Sequence, residues 1–367
     1  MSARPVVGWY VHHHGAGHLT RLLAVRPHLD ADVVVFSSLA PPAALPEATT
    51  WVQLPRDDHD VVPADGTTRR PGDPGSGADP TVRGLLHWAP LHHDGHAGRL
   101  ATVASWIADA RPRAFVVDVS VEVALLVRLL GVPPVVVAQP GDRSDGPHAL
   151  GWHAAELVLA PWAGGLHASP ALDRVGDRVR TVGGVSRHDG RVDGPAVPEP
   201  GTVLVLAGGG AEGRAGLARR VAEAAAATPT ARWSVLGASP ETWTDDPWPL
   251  IRAAEVVVSA AGQNSVADLA AASSRAVVVP QQRPFDEQHA TARLLAAHGL
   301  AVVPGTERAP GGASDDGGSA TSADAWPAAE AWPGLLERAR ALSPDWDVWQ
   351  VRGAAARAAA AVAEVAR

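Results

Sequence analysis

The 367-residue chain contains no cysteine. Disulfide bridges, thiolate nucleophiles and cysteine-held metals are therefore excluded. It also contains no lysine, so all 31 of its basic side chains other than histidine are arginine. We read that as arginine-biased coding. It removes Schiff-base chemistry and the lysine of a Walker-type phosphate loop. There is no strongly basic block, and the formal balance is 31 − 39 = −8, so nucleic acid is not expected as the main partner. No run of about 18 apolar residues marks a membrane span. The first residues lack a basic segment followed by an uncharged apolar stretch and a cleavage site. A cytoplasmic protein is expected, and peripheral contact with the inner face of a membrane is compatible with this.

What remains is an ordinary soluble composition, 46% hydrophobic and 19% charged. Such a chain can bury large cores, and its length exceeds what one core usually reaches, so two domains are expected. Short apolar runs alternate with helix-period segments throughout. "PVVGWYV" (5–11), "ADVVVFSS" (31–38), "AFVVDVS" (114–120) and "PPVVVAQP" (133–140) read as buried strands, with helical patterns such as "HLTRLLAVRPHL" between them. Unalternating apolar runs separated by helices indicate parallel sheets. The pattern stops at the Gly/Pro-rich stretch 187–201, where a linker is expected. A second series follows: "GTVLVLAGGG" (201–210), "ARWSVLG" (231–237), "AEVVVSA" (254–260), "SRAVVVP" (274–280) and "GLAVVPG" (299–305). Residues 307–326 are too poor in apolar side chains to pack. The last segment, from Trp346, reads as one long alanine-rich helix. The expected division is 1–189, 200–345 and a terminal helix 346–367.

The most unusual stretch is "HHHGAGH" (12–18). A Gly-x-Gly between a strand and a helix lets backbone N–H groups approach an oxyanion. A dinucleotide fingerprint would need a third glycine where Thr20 stands, and an acidic residue where Ser37 and Ser38 stand, so NAD is disfavoured. Consecutive strand residues point to opposite faces, so His12, His13 and His14 are not expected to converge on one ion. They read as strand-end side chains in a polar cleft. His18 opens the helix at a strand's carboxyl end, where it is placed to act as a general base near neutral pH. Asp118, at another strand end, either orients that base or works with Ser120 at the next helix start. The loop 139–148, with Arg143, is expected to line the cleft. His92, His93 and His96 read as loop or acceptor contacts. The 13 tryptophans read as core or cleft wall.

The most specific stretch is 253–303. A strand ends at Ser259, Gly262 provides a turn, and Asn264 or Ser265 can cap a helix whose N–H groups face an anion. Asp268 is read as a first-turn carboxylate suited to a ribose diol. Here the chain resembles glycosyltransferases of family 28, whose type member is the peptidoglycan UDP-N-acetylglucosamine transferase. The residues that carry the resemblance are Ser259-Ala260-Ala261-Gly262, Asp268, Pro280 and Asp286-Glu287-Gln288-His289-Ala290-Thr291-Ala292, with Gly15-Ala16-Gly17-His18 and the glycine loop 206–213. The family's asparagine near the end of the donor segment is Thr291 here, and the type member's acceptor region has no alignable counterpart.

The resemblance implies a GT-B architecture: two Rossmann-like α/β domains with parallel sheets facing across a cleft, and a final helix crossing back. It implies an inverting, metal-independent transfer from a nucleotide sugar, a UDP-linked one, with no cofactor and no metal ligands. His18 and Asp118 take the catalytic positions. Gly17, Gly209, Gly210, Ala261, Gly262, Gln263, Asn264, Ser265, Asp268, Gln282, Asp286 and Gln288 take the donor site. His14 and Arg143 take the acceptor side, where a small molecule, a glycan or a lipid-linked hydroxyl would bind. Two other readings remain at this level: a nucleotide-sugar-binding protein without catalysis, and a nucleotide-sugar 2-epimerase of the same fold. Epimerisation needs an extra pair of acid/base carboxylates, and no such pair is evident in the sequence.

Overall fold

The computed structural model describes residues 4–60, 79–191, 197–207, 216–306 and 326–367. Gly209, Gly210 and nearly all of 307–326 lie outside the described residues, as do 192–196 of the expected linker.

The first half is a seven-stranded parallel sheet. Its strands are β1 (Val6–Val11), β2 (Asp32–Ser37), β3 (Thr49–Gln53), β4 (Ala114–Asp118), β5 (Pro134–Val137), β6 (Leu157–Ala160) and β7 (Val179–Thr181), in the order β3-β2-β1-β4-β5-β6-β7. Helices α1 (Gly17–Val25), α2 (Asp94–Ala110), α3 (Val121–Leu129), α4 (Gly146–Ala154) and the short α5 (Pro170–Asp173) connect it. Both faces are covered, so every residue of β4 is buried. Alternate side chains feed two cores: Val7, Trp9 and Val11 enter one, and Tyr10 joins Phe36 and Phe115 in the other. Strands β3, β6 and β7 were not read from the sequence. β6 and β7 have only four and three residues, and β3 lies half-exposed at the sheet edge.

The second half is a four-stranded parallel sheet of β8 (Glu199–Leu206), β9 (Arg232–Leu236), β10 (Ala254–Ser259) and β11 (Ala276–Val278), in the order β11-β10-β8-β9. Around it lie α6 (Leu217–Ala227), α7 (Trp248–Ala253), α8 (Gln263–Ala271), α9 (Glu287–Ala297) and α10 (Trp332–Ala341). The strand expected at 299–305 is reduced to one bridge, Val277 with Val302. In each sheet the strand order reverses beside the first strand, between β1 and β4 and between β8 and β10. Ligands of open α/β sheets bind outside the carboxyl ends of strands at such points. No helix among the described residues is long and apolar enough to cross a membrane.

The terminal segment is not one helix. Residues 346–349 form a 3-10 turn, Gln350 and Gly353 adopt left-handed φ of 53° and 76°, and α11 (Ala354–Val365) begins only afterwards. The break divides the segment between two cores. Trp346 and Trp349 pack with the second half, whereas Ala354, Ala355, Ala358, Ala359 and Val362 pack with Val7, Leu22 and Val25 of the first. The chain crosses where Gly183 and Gly184 leave no side chain in the way. Gly184 N–H donates to the Trp349 carbonyl at 2.9 Å, and a Cβ on Gly184 would lie 2.4 Å from the Trp349 ring.

The Gly184→Ala substitution is expected to cost about 1–3 kcal/mol, the usual range for overpacking. Urea unfolding followed by Trp fluorescence checks this. An unchanged midpoint would show that the crossing relaxes without cost.

Candidate active site

The carboxyl ends of the two sheets face one another across a cleft of about 1090 Å³. From the first half come residues 12–18, Arg21, His87, Ser120, Gln139, Arg143, His148 and Trp152; from the second come Gly262 to Ser265, Gln281, Phe285, Glu287 and Gln288.

At the floor on the first-half side lies a buried carboxylate. β4 ends at Asp118, which is 0% exposed. The next residue, Val119, has φ 65°, a costly conformation for a β-branched side chain. This turn separates two roles. Ser120 caps α3, accepting from the Val123 N–H at 3.2 Å, while Asp118 points under the first loop. Asp118 Oδ1 lies 2.9 Å from His18 Nδ1. Arg21, one turn further along α1, donates from Nη1 to both carboxylate oxygens at 2.7 and 2.9 Å. Burial alone would raise the Asp118 carboxyl, but the charges and hydrogen bonds of Arg21 and His18 hold it below the usual range. An ionised Asp118 can only accept, so at 2.9 Å the contact is one in which His18 Nδ1–H donates.

The second half meets this group directly. Arg21 Nη2 donates to Gln263 Oε1 at 2.8 Å, and Asn264 Nδ2 donates to the Gly17 carbonyl at 2.7 Å. Gln263 and Asn264 open α8, whose N-cap is Gly262 and has no side-chain cap bond. The capping expected from Asn264 or Ser265 is therefore absent. Both sit inside the first turn, and the unpaired N–H groups of the helix start face the cleft with the positive end of its dipole.

Several donor-side expectations are redirected. Asp268 lies in the second turn of α8, not the first. It is buried, accepts from Ser186 Oγ at 2.6 Å, and lies 3.5 Å from Arg187, away from the cleft. Gln282 is exposed, and its neighbour Gln281 lines the cleft instead. Asp286 is exposed and pairs with Arg293 at 2.7 Å, while Glu287 faces inward. The cause is local: Phe285 and Asp286 both adopt left-handed φ, of 63° and 57°, which turns the carboxylates through one position. Ala261 is buried, and its N–H donates to Gln288 Oε1 at 3.2 Å. The same oxygen accepts from Gln281 N–H at 2.9 Å, so Gln288 ties together the loops after β10 and β11.

Arg143 is also in the cleft, but as a bridge between halves. Its Nη2 lies 3.0 Å from Glu287 Oε2, its Nη1 lies 3.1 Å from His148 Nε2, and its guanidinium lies 4.4 Å from the Phe285 ring centroid. His148 and His87 both contact Asp145, at 2.5 and 3.0 Å. Burial and the nearby Arg143 push His148 down to about 4. Arg21, His87 and Phe285 were not singled out from the sequence, whereas Asp145 and His148 lie in the loop 139–148 expected to line the cleft and Glu287 lies in the segment that carries the resemblance. Their roles depend on partners far away in the chain, although the positive φ of Phe285 and Asp286 leaves no compositional trace. His14 is exposed at the cleft mouth. His93 is no solvated contact: it is buried and caps α2, accepting from His96 N–H at 3.2 Å.

With this geometry established, the fold is GT-B: two α/β units with parallel sheets opposed across a cleft, and a terminal helix that packs on the first. Residues 239–310 match the family model of the glycosyltransferase family 28 C-terminal domain. Three solved structures share the fold. A UDP-glucosyltransferase from Polygonum tinctorium is 15% identical, with 100% of this chain and 99% of that one covered and a TM-score of 0.61. MurG of Acinetobacter baumannii is 16% identical over 98% and 99%, with a TM-score of 0.56. The spinosyn rhamnosyltransferase SpnG, complexed with thymidine diphosphate, is 17% identical over 98% and 95%, with a TM-score of 0.54. A comparison with curated protein sequences finds no match.

Two outcomes follow for stability. Gln288→Ala leaves one buried and one part-buried N–H group without their acceptor, so a loss of about 1–3 kcal/mol is expected in chemical denaturation; a loss below the error of the measurement would remove the stapling role. His148, His13 and His167 are each held near 4, chiefly by burial. A histidine whose folded pKa lies below its unfolded value of about 6.5 stabilises the fold above that pH. The contribution is lost as pH falls from about 6.5 towards 4. His167→Gln is therefore expected to flatten the dependence of the urea midpoint on pH in that window, and an unchanged slope would contradict it.

Proposed function

We propose that the chain is an inverting glycosyltransferase that moves a sugar from a nucleotide sugar, UDP-linked in the first instance, to an acceptor hydroxyl. The observation that carries this reading is the 2.9 Å contact between His18 Nδ1 and the buried Asp118, directly opposite the uncapped start of α8. His18 Nε2 takes the proton of the acceptor hydroxyl. The oxygen then attacks the anomeric carbon on the face opposite the leaving group. The bond from that carbon to the diphosphate oxygen breaks, and the nucleoside diphosphate leaves with the electron pair. Attack from the far face inverts the anomeric centre.

Charge developing on the diphosphate is met by the N–H groups at the start of α8 and by its dipole, interactions that strengthen as the bond breaks. In this reading Gly262, Gln263, Asn264, Ser265 and Gln288 form the donor side. His14, Gln139 and His148 face the acceptor. The match to the family 28 C-terminal domain supports a nucleotide-sugar donor, and the thymidine diphosphate held by SpnG makes a dTDP-sugar the second donor to test. Metal-independent transfer is part of the same proposal, because the helix start supplies positive charge where a divalent ion would otherwise be required.

His18→Ala is expected to lower turnover by about 10²–10⁴-fold, the usual contribution of a positioned base, while nearly preserving donor affinity. His12→Ala is expected to do far less. Nucleoside diphosphate release with UDP- and dTDP-sugars, measured with and without acceptor, together with donor calorimetry, checks both variants. Normal turnover in His18→Ala would sink the assignment, and release of diphosphate without any acceptor dependence would argue against transfer.

A further inference from the structure

The histidines that precede the catalytic dyad raise a separate question. β1 ends at Val11, so the alternation of a strand no longer governs residues 12–14. Their rings gather instead, with centroids 4.9 Å apart for His12 and His13, 4.9 Å for His12 and His14, and 4.4 Å for His13 and His14. The His13 side chain is only 2% exposed, yet neither ring nitrogen has a hydrogen-bond partner. Leaving a buried polar atom unpaired costs about 1–3 kcal/mol, so the arrangement calls for a ligand.

Facing His13 Nε2 are two carboxylate oxygens. Asp58 Oδ2 is at 3.5 Å and Asp57 Oδ1 at 3.8 Å, and His14 Nε2 lies 3.8 Å from the same Asp58 oxygen. These separations exceed hydrogen-bond length. They are close to the spacing of neighbouring donor atoms around one ion bound at about 2.0–2.2 Å. One ligand atom from each of His13, His14 and Asp58 falls within 4.8 Å of the others. Asp57 Oδ1 also lacks a hydrogen-bond partner, and its other oxygen is held by Arg99. The second histidine–carboxylate group of the cleft, His87–Asp145–His148, differs because its members already bond one another.

We propose that His13, His14 and Asp58 bind one divalent ion of the zinc class, with Asp57 supporting the site from behind. Two imidazoles and a carboxylate suit Zn²⁺ in donor type. Asp58 also pairs with Arg56, whose Nε donates to Oδ1 at 2.9 Å while Nη2 contacts Oδ2. The ion takes the place of the Nη2 contact on Asp58 Oδ2, and Arg56, 55% exposed, keeps its Nε contact with Oδ1. The bound ion joins the glycine loop to segment 56–58 at the lip of the cleft. It is not part of the proton transfer, because His12 stands between this group and His18, with ring centroids 5.8 Å apart. Its role is to hold the loop that carries His18.

The test uses the full chain, stripped with a chelator, and has readouts that need no turnover. Zinc chloride is titrated by calorimetry, bound metal is counted by mass spectrometry, and thermal unfolding is followed with and without zinc. The expected result is one zinc per chain with a dissociation constant in the micromolar range or tighter, and a higher melting temperature in its presence. Affinity falls at least tenfold in His13→Asn, His14→Asn and Asp58→Asn, and is unchanged in His28→Asn and His148→Asn. His14 is 68% exposed, so its variant folds even if the buried His13 variant does not. Absence of stoichiometric binding overturns the proposal. So does binding that persists in His14→Asn, or that is lost in His148→Asn.

Discussion

The buried carboxylate of Asp118 is the constraint on which the site depends. An unpaired charge with no exposure is expensive in a protein interior. Arg21 supplies the opposite charge through both Asp118 oxygens, and His18 supplies a further contact. Each requirement fixes a position on α1, one turn apart, so the start of that helix must lie over the end of β4. Arg21 has a second donor nitrogen, and it reaches Gln263 in the other half. The pair that positions His18 is thus the same pair that registers one half of the molecule on the other.

Around that point the two halves are joined by short polar bridges rather than by one apolar interface. Asn264 bonds the Gly17 carbonyl, Arg143 meets Glu287, and the Asp142 N–H donates to the Phe285 carbonyl at 2.8 Å. On the far side, Asp268 bonds Ser186. Burial raises the Asp268 carboxyl, partly opposed by Ser186 and Arg187. The terminal segment completes the join, with Trp346 and Trp349 in one core and α11 in the other. Polar bridges of this kind line a cleft without filling it, which leaves room for a ligand between two rigid sheets.

The distribution of histidines follows from the same geometry. His18 is tied to a carboxylate. His12, which is well below its ordinary value chiefly because of burial, stands between His18 and the His13–His14–Asp58 group. Neighbouring residues of one loop therefore have different chemistry. His18 has a carboxylate partner, whereas His13 has no hydrogen-bond partner at either ring nitrogen and turns Nε2 toward two carboxylates.

The sequence by itself determined the parallel α/β character of both halves, because runs buried on both faces must be apolar without alternation. It also determined the glycine turns at strand ends and the placement of His18 beside one of them. Only the tertiary structure decided where side chains point after the strands stop. Strand alternation does not decide the directions of His12–His14, because β1 ends one residue earlier, at Val11. The terminal helix was broken by Gln350 and Gly353, although alanine-rich periodicity continues through the segment. Asp268 turned to Ser186, and Asp286 gave its place to Glu287, because helix phase and two left-handed residues set direction there. Arg21 could not be read as part of the site because its partners, Asp118 and Gln263, lie 97 and 242 residues away. Local pattern reports which residues are buried, whereas the pairing of buried charges is settled only when distant strands and helices meet.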